Sequence, residues 1–63
     1  MGFKQRREAA GLTVLNAAKM LGVSDAAIYM WETGQMLPKT SRLKEIAEIY
    51  GCTIDELLRE EAE

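Results

Sequence analysis

The sequence predicts an all-α fold, a compact five-helix bundle that forms one domain over residues 1–63. Apolar residues recur at spacings of three and four, which is the period of a helix face, and no stretch has the pattern of a strand. Gly11, Gly22, Gly34 and Gly51 each follow such a stretch, where a left-handed residue commonly ends a helix. We expect helices at about residues 3–10, 14–20, 25–33, 40–50 and 54–60.

The first helix is predicted from Phe3, Arg7 and Ala10, which share one face at spacings of four and three. Gly11 then suits the position just after a helix. Thr13 is a good N-cap for the second helix, because its hydroxyl can accept a free backbone N–H of the first turn. A short turn is therefore expected between the first two helices.

Residues 14–33 have the pattern of two helices that meet at a tight bend. The apolar period of the first stops at Gly22, and Ile28 and Trp31 restart it three residues apart. Gly22 suits a positive φ, and Ser24 is expected to cap the helix that follows. This is the helix-turn-helix pattern. We expect Trp31 to lie in the core and not on the surface.

The last two helices are predicted from caps and apolar stripes. Thr40 or Ser41 is expected to cap the fourth helix. Thr53 and Glu56 have the spacing of a capping box at the start of the fifth. The apolar positions of the two helices are Leu43, Ile46, Ala47 and Tyr50, followed by Ile54, Leu57 and Leu58.

Composition argues against an enzyme. The chain has no histidine to act as a general base near pH 7, no cluster of Cys and His to hold a metal, and no glycine-rich phosphate loop. We therefore expect no catalytic residue, no metal and no cofactor. The single cysteine, Cys52, excludes an internal disulfide and is expected to be a small buried apolar residue. With no apolar run long enough to span a membrane, the chain is expected to be cytoplasmic.

The formal charge is unevenly distributed. The whole chain carries −2, but residues 1–44 contain seven basic and three acidic residues, a net +4. Residues 45–63 contain one basic and seven acidic residues, a net −6. Such an asymmetry favours a positive face for phosphates and an acidic end that points away from them.

Three segments carry a resemblance to a known family. They are REAAGLT at residues 7–13, AAKMLGVS at 17–24 and IYMWETG at 28–34, and Pro38 and the IAEIYGCTIDELL ending follow in register. In these features the chain resembles the Cro/repressor-type (XRE-like, lambda-repressor-like) DNA-binding family. The resemblance implies a sequence-specific transcriptional regulator whose partner is double-stranded DNA.

The resemblance also implies roles for individual residues. The helix at 25–33 is the recognition helix in the major groove, and the helix from residue 14 lies across the backbone. Base reading falls to Ser24, Asp25, Ala26, Tyr29 and Met30, and phosphate binding to Thr13, Lys19, Gln35, Lys39 and Arg42. Arg7 and Glu32 match an internal ion pair between the first and third helices.

Four features depart from the family pattern. Val14 replaces a usual glutamine, Arg6 a usual apolar residue, and Met36-Leu37 occupies a loop that is typically basic. Asp25-Ala26-Ala27 offers few donors to base edges, although an aspartate there can stabilise its own helix N-terminus.

Two functions follow. The first is a homodimeric DNA-binding regulator, with a dimer contact expected at Ile54, Leu57 and Leu58 near Cys52. The second is the same fold used as a protein-interaction module, an antitoxin or regulatory subunit in which Leu15, Met36 and Leu37 contact a partner.

Overall fold

The computed structural model describes residues 2–59, and in that range the chain forms five helices and no strand. These are α1 (Phe3–Ala9), α2 (Val14–Leu21), α3 (Asp25–Thr33), α4 (Thr40–Tyr50) and α5 (Ile54–Leu58). The all-α prediction is confirmed, and the bounds of α1 to α4 agree with it to within one residue. The predicted end of the fifth helix at residue 60 lies outside the described residues, and α5 ends at Leu58. None of these helices is long and apolar enough to cross a membrane.

Four N-caps are predicted, those of α2 to α5, and three of them are confirmed. The hydroxyl oxygen of Thr13 accepts the Asn16 N–H at 3.0 Å at the start of α2. Thr53 and Glu56 form the full capping box of α5, with hydrogen bonds of 2.9 and 3.1 Å in the two directions. Ser24 caps α3 in the same way and is described with the site. These caps fix the helix starts because each satisfies a backbone donor that the helix itself leaves free.

The predicted cap of α4 is wrong. The N-cap is Lys39, whose extended backbone precedes the first helical residue, Thr40, and no side-chain hydrogen bond accompanies it. The first helical hydrogen bond runs from the Leu43 N–H to the Lys39 carbonyl at 2.8 Å. Thr40 and Ser41 are the first two residues of the helix itself. A capping side chain belongs to the residue before the helix, so neither hydroxyl can act as the N-cap.

One apolar core joins the helices. Its largest fully buried side chains are Phe3, Ile28, Ile46 and Leu57. Trp31 is buried against the same core, as expected, and Cys52 is half-buried at its edge. The burial of these side chains provides most of the free energy that holds α1 to α5 together.

Two expectations about the surface need correction. Leu57 is fully buried, so it cannot contribute to a contact with a second copy. It is the fully buried residue of α5, which packs against α1 and α4, and Ile54 packs partly against the same core. Ala10, expected to share a helix face with Phe3 and Arg7, is exposed while those two are buried, because α1 ends one residue earlier and the chain already turns there.

The two ends of the described chain meet. The Gly2 N–H donates to the Leu57 carbonyl at 2.9 Å, which ties the start of α1 to α5. The Arg6 guanidinium and the Glu56 carboxylate lie 3.5 Å apart across the same contact. The arginine that replaces a usual apolar residue therefore pairs with the capping-box glutamate of α5. The hydrogen bond from the Thr53 backbone N–H is the largest cause that lowers the pKa of the Glu56 carboxyl, and the positive charge of Arg6 lowers it further.

Candidate nucleic-acid interface

The bend between α2 and α3 has the geometry of a helix-turn-helix. Gly22 ends α2 with φ +70°, a conformation that a residue with a side chain rarely adopts. The Val23 N–H returns to the Ala18 carbonyl at 3.0 Å, and Val23 packs partly against the core. Ser24 then accepts the Ala27 N–H at 3.2 Å and starts α3. The bend is thus set by local backbone bonds, and α3 leaves it in a fixed direction.

A buried ion pair holds the far end of α3 to α1. The Arg7 Nε donates to Glu32 Oε2 at 2.7 Å, and the two side chains are only 8 % and 7 % exposed. Arg7 Nη1 also donates to the Leu12 carbonyl at 2.8 Å, just beyond the end of α1. The guanidinium therefore connects the last turn of α1 and the segment after it to α3. Its hydrogen bond to Glu32 raises the pKa of Arg7.

Tyr50 packs beside this pair at the end of α4. Its ring is buried, and burial followed by the negative charge of Glu32 raises the pKa of the Tyr50 hydroxyl to about 12. The hydroxyl consequently stays neutral across the ordinary pH range. The inner side of α3 is thus held by apolar packing and by the Arg7–Glu32 ion pair, and the neutral Tyr50 hydroxyl lies beside that pair.

Arg42 connects α4 to the end of α2. Its Nη1 donates to the Leu21 carbonyl at 2.7 Å and to Glu45 Oε1 at 3.0 Å. Leu21 is the last residue of α2, where carbonyl groups lack a partner within the helix, so the arginine satisfies one of them. Arg42 stays a predicted phosphate contact, because 35 % of its side chain remains exposed although its Nη1 has two acceptors within the chain. Its position is that of a brace behind the bend.

The outward side of α3 is open to solvent. Ser24, Asp25, Ala26 and Tyr29 are exposed, and the tyrosine keeps 55 % of its surface accessible. Met30 is half-buried at the edge of this surface. The five residues expected to read bases therefore lie together on and beside the first turns of α3, on the side away from Ile28 and Trp31.

The other residues expected to bind phosphates flank α3. Thr13 is exposed at the N-terminus of α2, where unpaired backbone N–H groups favour an anion. Gln35 and Lys39 are exposed in the segment between α3 and α4, and Lys19 is exposed on α2. These four predicted phosphate contacts are thus exposed, and they come from both sides of the bend.

Sequence reasoning missed the bracing role of Arg42. The residues it joins, Leu21 and Arg42, are 21 positions apart, and its acceptor is a backbone carbonyl that any residue provides. Of the contacts of Arg42, the sequence could predict only the ion pair with Glu45, because the two residues are three positions apart on one helix. The Arg7–Glu32 pair was found because the resemblance supplied both positions.

Comparison with known proteins agrees with this geometry. The helix-turn-helix family pattern matches residues 3–57. The chain is also 41 % identical over 56 residues to the HTH-type transcriptional activator BcrR of Enterococcus faecalis. That match covers 89 % of this chain and 28 % of the relative, so the chain spans little more than a quarter of the relative's length. No solved structure matches the chain significantly. The matched range contains α1 to α4 and all of α5 except its last residue, so the chain belongs to the XRE-type helix-turn-helix family.

Proposed function

We propose that the chain is a DNA-binding regulator of transcription that places α3 in the major groove. The observation that carries the proposal is the contrast within α3, whose inner side is fixed to the core while its outer side is exposed. A helix of this kind, presented by a helix-turn-helix, is the element that reads base edges in such proteins. The transcriptional activator that the chain resembles supports a role in regulation. We also propose that the chain has no catalytic activity. We propose a cytoplasmic location, because its DNA partner would be there.

Phosphate contacts provide most of the affinity in this proposal. The N-terminus of α2 directs backbone N–H groups toward one strand, and Thr13 marks that position. Lys39 and Gln35 approach from the segment after α3, and Lys19 adds a positive charge on α2. The net +4 of residues 1–44 strengthens attraction to the duplex, while the acidic end is repelled from it.

We propose that the working species is a homodimer. The described domain measures 29 × 23 × 21 Å, and one recognition helix covers only a few base pairs. Two copies side by side match the spacing of about 34 Å between half-sites on one side of the duplex. Because Leu57 is buried, the candidate dimer contact consists of the other residues expected there. These are Leu58, which is 41 % exposed, and the half-buried Ile54 and Cys52. Sedimentation of a monomer at high micromolar concentration, with and without DNA, would contradict the dimer.

The salt dependence of DNA affinity tests the DNA-binding proposal. If a dimer makes about six phosphate contacts, log K falls with log salt at a slope near −5, from about −0.9 per contact. Lys39→Ala removes one contact per protomer, so it lowers affinity for all sequences and makes the slope shallower by about 2. Lys4→Ala is the matched control, since Lys4 is exposed on α1 beside α5. A flat salt dependence, or equal effects of the two variants, would reject the proposal.

A second function is favoured by three exposed apolar side chains. Leu15, Met36 and Leu37 keep 57 %, 52 % and 62 % of their surface accessible. Met36 and Leu37 also border an open cleft of about 440 Å³ whose walls include Trp31. Such a surface suits the protein-interaction module, in which a partner protein covers these residues. Leu37→Ser would then abolish partner binding and leave DNA affinity unchanged.

A further inference from the structure

The outward side of α3 lacks the side chains that usually read bases. Arg, Lys, Asn and Gln make the common bidentate hydrogen bonds to guanine and adenine. The sequence of α3, Asp25–Thr33, contains none of them. Helical geometry places Ala26 and Thr33 at the middle of the side opposite Ile28 and Trp31. A helix that presents this side to the groove must distinguish bases by other contacts.

The two aliphatic hydroxyl groups at the ends of this side, those of Ser24 and Thr33, are engaged within α3 itself. Ser24 Oγ accepts the Ala27 N–H at 3.2 Å as the N-cap. Thr33 Oγ1 donates to the Tyr29 carbonyl at 2.9 Å, one turn back along the helix. When the threonine hydroxyl bonds its own helix, its methyl group is the part left for contact. The surface offered to a ligand is therefore formed by the Ala26 methyl, the Thr33 methyl and the exposed Tyr29 ring with its hydroxyl.

Asp25 narrows the choice of base further. Its Oδ1 accepts the Ala26 N–H at 2.9 Å, which holds the carboxylate at the start of α3. Guanine presents two acceptors in the major groove, and a carboxylate repels both, whereas the N4 amine of cytosine is a donor that a carboxylate can accept from. Thymine presents the C5-methyl group, which is the natural contact for small apolar side chains.

We propose that α3 selects its DNA sites by apolar contact with thymine C5-methyl groups, made by Ala26, Thr33 and Tyr29. This inference rests on the proposed function, because it names the base that the exposed side of α3 recognises. Affinity comes from phosphate contacts and preference comes from methyl burial. The preferred half-site contains at least one thymine at a fixed position, and guanine is disfavoured beside Asp25.

Replacement of thymine by deoxyuridine tests the inference. Duplexes are first selected from a random-sequence pool by the full chain, and each thymine of the preferred site is then replaced singly. Deoxyuridine keeps the base pair and the O4 acceptor and removes only the methyl group. Affinity is expected to fall about fourfold for each contacted methyl, the value of one buried carbon. A thymine outside the site serves as the control and is expected to have no effect.

Two variants identify the protein side of the contact. Thr33→Ser retains the hydroxyl that bonds the Tyr29 carbonyl and removes the methyl, and Ala26→Gly removes the other methyl. For each variant, the affinity for the thymine duplex divided by the affinity for the deoxyuridine duplex is expected to fall to one at a single position of the site. The ratio is measured within one variant, so a general loss of stability cancels from it.

The experiments distinguish failure of the methyl-recognition proposal from failure of the DNA-binding proposal. If the chain binds DNA but prefers no sequence, or prefers a sequence whose thymines can all become deoxyuridine without loss, methyl recognition is rejected while DNA binding stands. If the chain binds no DNA at any salt concentration, both proposals are rejected.

Discussion

The two sides of α3 follow different physical rules. On the inner side Ile28 and Trp31 are 1 % and 5 % exposed, and Glu32 is paired with Arg7. On the outer side Tyr29 is 55 % exposed, and no packing constraint selects the side chains beside it. Substitutions on the inner side should therefore change the stability of the fold, whereas substitutions on the outer side should change binding. The predictions below test that separation, from the largest effect to the smallest.

Loss of the buried ion pair should have the largest effect. Arg7→Ala leaves the Glu32 carboxylate buried without its guanidinium, which costs about 3–5 kcal/mol of unfolding free energy. For so small a domain this is a large part of the total stability. Urea denaturation followed by circular dichroism measures the change, and Lys4→Ala, an exposed basic residue of the same helix, is expected to change it by less than about 0.5 kcal/mol.

A double substitution separates the charge from the packing. Arg7→Met combined with Glu32→Leu removes both charges and is expected to be more stable than Arg7→Ala alone, because neither partner is left unpaired. An Arg7→Ala variant that unfolds at the same urea concentration as the parent would show that the pair does not hold α3.

Alkaline pH should weaken the inner side through Tyr50. Its hydroxyl titrates at about 12 in the folded chain against 10 for the ordinary group, so the folded state retains a proton that the unfolded state loses. The free energy of unfolding should therefore fall as pH rises from 10 to 12, by up to about 2–3 kcal/mol. Tyr50→Phe should remove this part of the decrease, and Tyr29→Phe, at an exposed tyrosine, should not. Equal pH profiles for the two variants would contradict the burial of Tyr50.

The smallest effect on stability is expected at Asp25. Asp25→Asn removes a charge that favours the start of α3, which costs about 0.3–1 kcal/mol. DNA binding should respond in the opposite direction, because the variant no longer repels phosphates and binds random DNA more tightly. Asp55→Asn changes the same charge in the first turn of α5 and should leave DNA affinity nearly unchanged. If both variants bind DNA like the parent, α3 does not enter the groove.

The sequence predicted the scaffold better than it predicted the surface. Helix ends followed local signals, such as Gly22 after α2 and the Thr53–Glu56 capping box, and each signal acts within a few residues. The failures have a different origin. The burial of Leu57 and the bond from Arg42 to Leu21 depend on how distant segments pack, which no local pattern contains. For the outer side of α3 only the resemblance supplied roles, since exposed residues carry no packing signal.

An amide chemical-shift titration of the ¹⁵N-labelled chain with a selected duplex tests the central claim most directly. We expect the largest changes at the start of α2, on the outer side of α3 around Ala26 and Tyr29, and in the segment from Gln35 to Lys39. The amides of α1 should change least, because α1 packs against α4, α5 and the inner side of α3. Changes concentrated in α1, or confined to Met36 and Leu37 while α3 is unaffected, would contradict the proposal that α3 binds DNA.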